Sequence, residues 1–357
     1  MSKPRGLLDR IDAGEAVLHA GGYMFEMERR GYLQAGANVP EVVLDHPEVV
    51  EQLTREFARC GADVLLAFTY YGNREKMRLI GKEDLLEPLN RNALQIALKV
   101  REEFPKSLVA GGICNTNIYT ADDPQSHKEV EAMFEEQIGW IADAGVDVIV
   151  GETFSDMGEA KIATKVAKQA GIPLVIGTVL YGKKETFRDS DNHFTDDLLS
   201  LHQEDGADIV GLNCQLGPQI MLPLIKKVTD KITNGRIMAF PVGYRTTVDQ
   251  PAFGKMVDKD LCCPERLPLE GNSYSTGLDC FAVTRYEMAD FAVKAFESGV
   301  RYIGTCCGCG PHHLREMAEA LGRTTEASKY SPDMSKNAIY GTDPRLKKHN
   351  QSFEDLK

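Results

Sequence analysis

The chain has 357 residues, 43% of them hydrophobic, and a formal net charge of −12. A surplus of acid on that scale argues against nucleic acid as a partner and favours a chain kept in solution by mutual repulsion. No run approaches the ~18 apolar residues of a membrane span, and residues 1–10 carry no apolar stretch of the signal-peptide kind. A cytoplasmic location is therefore expected. Thiols stay reduced there, and nine cysteines are available to a metal.

In chain order, strands are expected at 16–20, 108–114, 172–178 and 236–240. Four more follow a recurring joint: Cys60-Gly-Ala-Asp-Val-Leu-Leu-Ala-Phe68, Ala144-Gly-Val-Asp-Val-Ile-Val-Gly-Glu152, Asp205-Gly-Ala-Asp-Ile-Val-Gly-Leu-Asn-Cys214 and Ser298-Gly-Val-Arg-Tyr-Ile-Gly-Thr-Cys306. In each, a glycine caps a helix and an unalternating aliphatic run follows, as a strand covered on both faces requires. Helical patterns fill the intervals at 47–59, 89–103, 128–143, 158–169, 195–204, 219–231, 284–297 and 312–320. Eight strand–helix units without an early Gly-x-Gly-x-x-Gly fingerprint predict an α/β fold closed as a (β/α)8 barrel, not a doubly wound sheet. The polar stretch 243–279, rich in Gly and Pro, reads as a rim loop before the last strand, and 322–357 as a C-terminal arm or disordered tail.

A barrel of this kind carries its active site at the carboxyl ends of the strands. The four joints run into Phe68-Thr-Tyr-Tyr71, Glu152-Thr-Phe154, Cys214 and Cys306-Cys307, which the fold would gather on one rim. A buried free cysteine is ordinarily a small hydrophobe, and Cys60, Cys114 and Cys280 are read as packing. Cys306 and Cys307 differ from these. Neighbouring strand residues point to opposite faces, so both thiols reach one ion only where the strand has ended and Gly304, Gly308 and Gly310 let the backbone turn. A catalytic tetrahedral zinc site has three protein ligands and an open fourth position, and Cys214 is the third candidate.

Cys262-Cys263 precedes Pro264 in a charged, irregular stretch and is not presented by a strand end. Cys309 is expected to be turned away by a helix starting near Pro311, with His312 and His313 in its first turn; His19 has no assigned role. Three thiolates on Zn²⁺ leave a net charge of −1, and an incoming thiol loses its proton while its sulfur stays electron-rich. That suits attack on an activated methyl group; a hydrolase would want His or carboxylate ligands and a bound water. A redox use of Cys306 and Cys307 is the alternative, set against the strain of a vicinal disulfide and the missing nucleotide fingerprint.

Gly211-Leu-Asn-Cys214 together with Gly304-Thr-Cys-Cys-Gly308 resembles the zinc signature of the homocysteine S-methyltransferases, a TIM-barrel family, over residues 6–321. Glu28-Arg-Arg-Gly-Tyr32, Pro40, His46-Pro47-Glu48 and Phe68-Thr-Tyr-Tyr71 are most similar to its betaine type. The resemblance implies Cys214, Cys306 and Cys307 as zinc ligands, and Tyr71 as a tyrosine that approaches the metal when the thiol is absent. It makes Glu152 the holder of the homocysteine amino group, with the backbone of Gly21 and Gly22 at the amino-acid end. It further implies methyl transfer from an onium donor to give methionine, and self-association. Departures from the pattern fall at Ala20 and Ala67, where polar residues are expected, and at Asn38 and Thr153, where a tryptophan and a tyrosine would help Tyr70 and Tyr71 cage the donor. Tyr244 or Tyr274 of the rim loop are candidate replacements, and a sulfonium donor or a non-catalytic zinc- or onium-binding barrel are the alternative readings.

Overall fold

A computed structural model describes residues 5–180, 193–260, 265, 267 and 271–346. Eight parallel strands close in sequential order into a barrel: β1 Val17–His19, β2 Val64–Leu66, β3 Leu108–Cys114, β4 Val148–Phe154, β5 Leu174–Thr178, β6 Ile209–Asn213, β7 Ile237–Phe240 and β8 Tyr302–Gly304. All of their residues are buried, which is why the strands read as aliphatic runs without alternation. Each fully buried Val, Leu or Ile contributes about 1.5–3 kcal/mol through the area it removes from water.

The four expected joints are present, and Gly61, Gly145, Gly206 and Gly299 all adopt the left-handed conformation. Three of them share a second device. The aspartate two residues past the glycine accepts a backbone N–H at the start of the strand that precedes its own: Asp63 from Leu18 at 2.7 Å, Asp147 from Val109 at 2.9 Å and Asp208 from Leu174 at 2.9 Å. In the fourth joint Arg301 stands in that position and its carbonyl accepts from Val17, which ties β8 to β1.

The helices Pro47–Arg59, Leu86–Glu103, Pro124–Ala144, Met157–Ala170, Pro218–Thr229, Arg285–Glu297 and Pro311–Ala320 cover the barrel near their expected places. The pattern at 195–204 is the helix Phe194–Ser200 followed by a wider turn, Leu201–Asp205, whose carbonyl at Leu201 caps Gly206. β5 begins at Leu174, two residues later than expected, after Pro173, which has no N–H to give to a ladder. The helices Tyr23–Arg29 and Arg74–Leu79, which follow β1 and β2, are not in the sequence reading, because two turns are too few to show a period. Past Gly322 the chain forms short helical turns, Glu326–Tyr330, Met334–Lys336 and Pro344–Leu346, and Arg323 reaches back to Asp63 at 2.6 Å. The segment expected as a C-terminal arm or disordered tail thus takes these short turns up to residue 346, with Arg323 tied to the barrel floor. Residues 347–357 and the doublet Cys262-Cys263 lie outside the described residues.

Candidate functional site

Cys214 follows the last residue of β6. Its N–H donates to the Phe240 carbonyl at 3.0 Å, and its φ of 62° swings the chain out of the sheet. Cys306 and Cys307 lie just beyond β8, where Cys306 N–H donates to Pro241 at 3.1 Å and the Cys307 carbonyl accepts from Gly243 at 2.8 Å. Of the three glycines expected to turn this segment, Gly308 does so, with φ 81°. A Cβ there would lie 2.5 Å from Tyr244 Cζ, so the Tyr244 ring is the floor of the turn. Gly304 serves a different purpose: it remains in the strand because a Cβ would come within 2.6 Å of the Phe240 ring.

These two turns bring the sulfurs together. Cys214 Sγ lies 3.8 Å from Cys307 Sγ, Cys306 Sγ lies 4.0 Å from Cys307 Sγ, and all three fall within 4.8 Å of one another. Metal–sulfur bonds of about 2.3 Å at tetrahedral angles require sulfur–sulfur edges of about 3.8 Å. The cluster therefore fits a soft tetrahedral ion once its widest pair closes by up to about 1 Å. Contacts with the Cys306 and Cys307 thiols hold Cys214 well below the usual thiol pKa, and the same contact with Cys214 pushes the other two up. Cys309 is fully buried and stands outside this group. His313 is consumed locally: its Nδ1 accepts from Gly310 N–H at 3.1 Å, and its Nε2 lies 3.2 Å from the Val283 carbonyl. Cys60 and Cys114 are buried as expected, but Cys280 is exposed, which corrects its reading as a packing residue.

The sulfurs open onto a cavity also lined by Gly22, Tyr23, Met24, Leu66, Phe68, Tyr70, Glu152 and Thr153. Glu152 is 7% exposed and, among the described residues, its carboxyl has no hydrogen-bond or ion-pair partner. Burial, reinforced by the charge of Cys306, raises its pKa to about 8. A buried carboxyl left alone costs free energy unless a cation arrives to share the site. Glu152 and Thr153 line the same cavity although they are neighbours, because the β4–β5 register shifts between Gly151 and Phe154. Thr153 has φ 60°, an outlying value for a β-branched residue. Asn213 Oδ1 accepts its N–H at 2.9 Å, and its hydroxyl bonds Tyr70 at 3.0 Å and Asn115 at 2.9 Å.

Gly22 lines the cavity with φ 99°, and a Cβ there would lie 2.4 Å from the Cys309 carbonyl oxygen. Gly21 is placed otherwise. Both its N–H and its carbonyl are taken by the Thr305 hydroxyl, at 3.1 and 3.0 Å, so it braces the site from behind. Ala20 and Ala67 are buried and Asn38 bonds the Gly36 carbonyl at 3.3 Å; none of the three lines the cavity. An outer vestibule joins the sulfurs to solvent past Tyr70, Tyr71, Asn115, Asn117, Gln215, Phe253 and Tyr274. Tyr274 thus arrives from the rim loop as one of the candidate aromatics, whereas Tyr244 is buried beneath Gly308. Asn115 and Asn117 have no part in the sequence reading, and Thr305 and Asn213 appear there only as motif positions without a role. Asn213 was within reach of it, since an asparagine ending an apolar strand must spend its side chain on something.

The fold and these turns define a class: a (β/α)8 barrel with a three-thiol cluster at the carboxyl rim that could hold a metal ion. More narrowly, the chain belongs to the homocysteine S-methyltransferase family, whose model matches residues 17–321. Betaine–homocysteine S-methyltransferase 1 of Rattus norvegicus is 32% identical, covering 95% of this chain and 79% of its own length. S-methylmethionine–homocysteine S-methyltransferase BHMT2 of Pongo abelii is likewise 32% identical, covering 95% and 86%. The metallated homocysteine methyltransferase MmuM of Escherichia coli shares the fold, with a TM-score of 0.65 at 16% identity over 85% of this chain and 95% of that one.

Proposed function

We propose that this chain is a zinc-dependent methyltransferase that moves a methyl group from an onium donor to homocysteine, giving methionine. The observation that carries the reading is three clustered sulfurs, on buried Cys214 and Cys306 and half-buried Cys307, beside a buried carboxyl with no partner among the described residues. Cys214, Cys306 and Cys307 would hold the zinc, which when bound supplies a thiolate from an incoming thiol at neutral pH. Glu152 takes the acceptor's ammonium group, and that charge compensates the burial of its carboxylate. Gly22 allows the amino-acid portion to approach the backbone closely, where any side chain would collide with Cys309. The apolar walls Leu66 and Phe68 exclude water from the sulfurs. Tyr70 stands where cavity and vestibule meet and is held by Thr153, so it presents an aromatic surface to the donor side.

Betaine and S-methylmethionine enzymes are equally similar to this chain, and the donor is therefore argued from the vestibule. Its mixture of aromatic rings and carboxamides suits a small polar onium compound, ammonium or sulfonium. Among the described residues no helix is long and apolar enough to cross a membrane; a cytoplasmic, self-associating enzyme is the accompanying expectation. The test is zinc content and methionine formation across a panel of quaternary ammonium and sulfonium donors. We expect about one zinc per chain, lost together with activity in Cys307→Ala. Full zinc and full turnover in that variant, or no turnover with any onium donor, would overturn the reading.

A further inference from the structure

Aromatic rings hold methylated onium groups on their faces, and the Tyr71 ring in the vestibule is already crowded. The Tyr70 ring centroid lies 4.3 Å from it, and the Lys76 ammonium nitrogen also lies 4.3 Å from the Tyr71 centroid. Lys76 sits in the first turn of the helix Arg74–Leu79, fixed by Asn73. The Asn73 side-chain oxygen accepts the Lys76 N–H at 3.0 Å, and its amide nitrogen reaches the Asn115 carbonyl at 3.4 Å. The same segment therefore positions Lys76 and the vestibule wall. The adjacent acid, Glu75, is bound by Arg78 at 2.8 Å, and among the described residues Lys76 forms no ion pair. It is half-buried, and burial lowers its pKa. An ammonium group withdrawn from water without a carboxylate partner is a costly arrangement, and it is repaid when an anion binds.

We propose that Lys76, whose ammonium lies over the ring of the vestibule residue Tyr71, is a specificity-determining residue for the methyl donor: it receives a carboxylate or other anionic end of the donor. This rests on the methyl-transfer reading given above. The onium centre then lies against Tyr70 and Tyr274, nearer the sulfurs, while the Lys76 charge repels a donor that is cationic throughout. The class selected is a zwitterion whose methyl-bearing centre and anionic group lie a few bonds apart.

Calorimetry on the zinc-loaded protein tests this with two probes, glycine betaine and tetramethylammonium, which share an onium head and differ in the carboxylate. The native chain is expected to prefer glycine betaine. In Lys76→Met its affinity falls about tenfold or more, as loss of a charge-assisted contact implies. Its KM rises in step with kcat held within about threefold. Zinc content and the affinity for tetramethylammonium do not fall, the KM for homocysteine does not rise, and Lys76→Arg restores most of the loss. Unchanged affinity for glycine betaine in Lys76→Met, equal weakening of both probes, or no binding of either to the native chain overturns the assignment. Absence of methionine with every donor would overturn the methyl-transfer reading, while the binding comparison still decides the role of Lys76.

Discussion

The two ends of the barrel are built on different terms. At the floor, where helices pass into strands, left-handed residues are glycines, and Asp63, Asp147 and Asp208 satisfy the strand starts. At the carboxyl rim, Tyr71, Asn117, Thr153, Cys214 and Gln215 adopt positive φ although they carry side chains. Such conformations cost on the order of 1 kcal/mol or more each and persist only where surrounding contacts over-determine them. All five line the candidate site or its vestibule, and Thr153 and Cys214 line both cavities. The floor is optimised for folding; the rim trades some of that stability for the placement of thiols, a carboxyl and rings.

This contrast can be broken by substitutions that should affect one end and not the other. The largest effect is expected at the rim: Glu152→Gln would remove the charged contact proposed for the acceptor's amino group and should raise its KM by roughly 10- to 100-fold. Melting temperature should hold or rise, because a buried unpaired carboxyl disappears; steady-state kinetics and calorimetry read both. At the floor, Asp147→Ala abandons the Val109 N–H and the contact from Arg101 at 3.1 Å. It should cost about 2 kcal/mol in denaturant titration and leave both substrates' KM unchanged. A KM shift there would mean that the two ends are coupled.

Between the ends lies His19, fully buried, its ring stacked 4.6 Å from Phe240 and its Nδ1 2.7 Å from the Tyr302 hydroxyl. Burial lowers its pKa to about 3, against an ordinary value of 6.5. The native chain then binds fewer protons here than the unfolded chain between those values, so stability falls as pH drops through that window. From pH 7 to pH 5 the loss should be about 2 kcal/mol, and urea titrations of His19→Phe should show that much less dependence on acid. The smallest effect is Gly145→Ala, with φ 68° and no atom within 4 Å of the added carbon. It should cost about 1 kcal/mol through backbone strain alone, without altering zinc content.

The same contrast explains what could be read from the sequence. Floor joints are local: a glycine, one link and an aliphatic run lie within ten residues; aliphatic runs mark the eight strands, and helical periodicity marks seven of the covering helices to within a few positions. Cys214 and Cys306-Cys307 were also legible, because a cysteine after a buried strand has a short menu of uses. The rim's other partners were not. Thr305 grips Gly21 at a sequence separation of 284, Tyr70 meets Thr153 at 83, and Tyr274 enters the vestibule from a long irregular loop. No window of sequence contains both members of such pairs.

The Thr305–Gly21 clasp lies where the barrel shuts, since β1 pairs with β8 immediately below it. Cys306 and Cys307 sit directly above that seam, and their third partner Cys214 comes from β6, with Cys214 and Cys307 separated by 93 positions. The sulfur cluster spans β6 to β8 across β7, with Cys214 N–H held by Phe240 and Cys306 N–H by Pro241. It comes together when these last three strands are in register, so metal affinity appearing during refolding would report that assembly beside the seam.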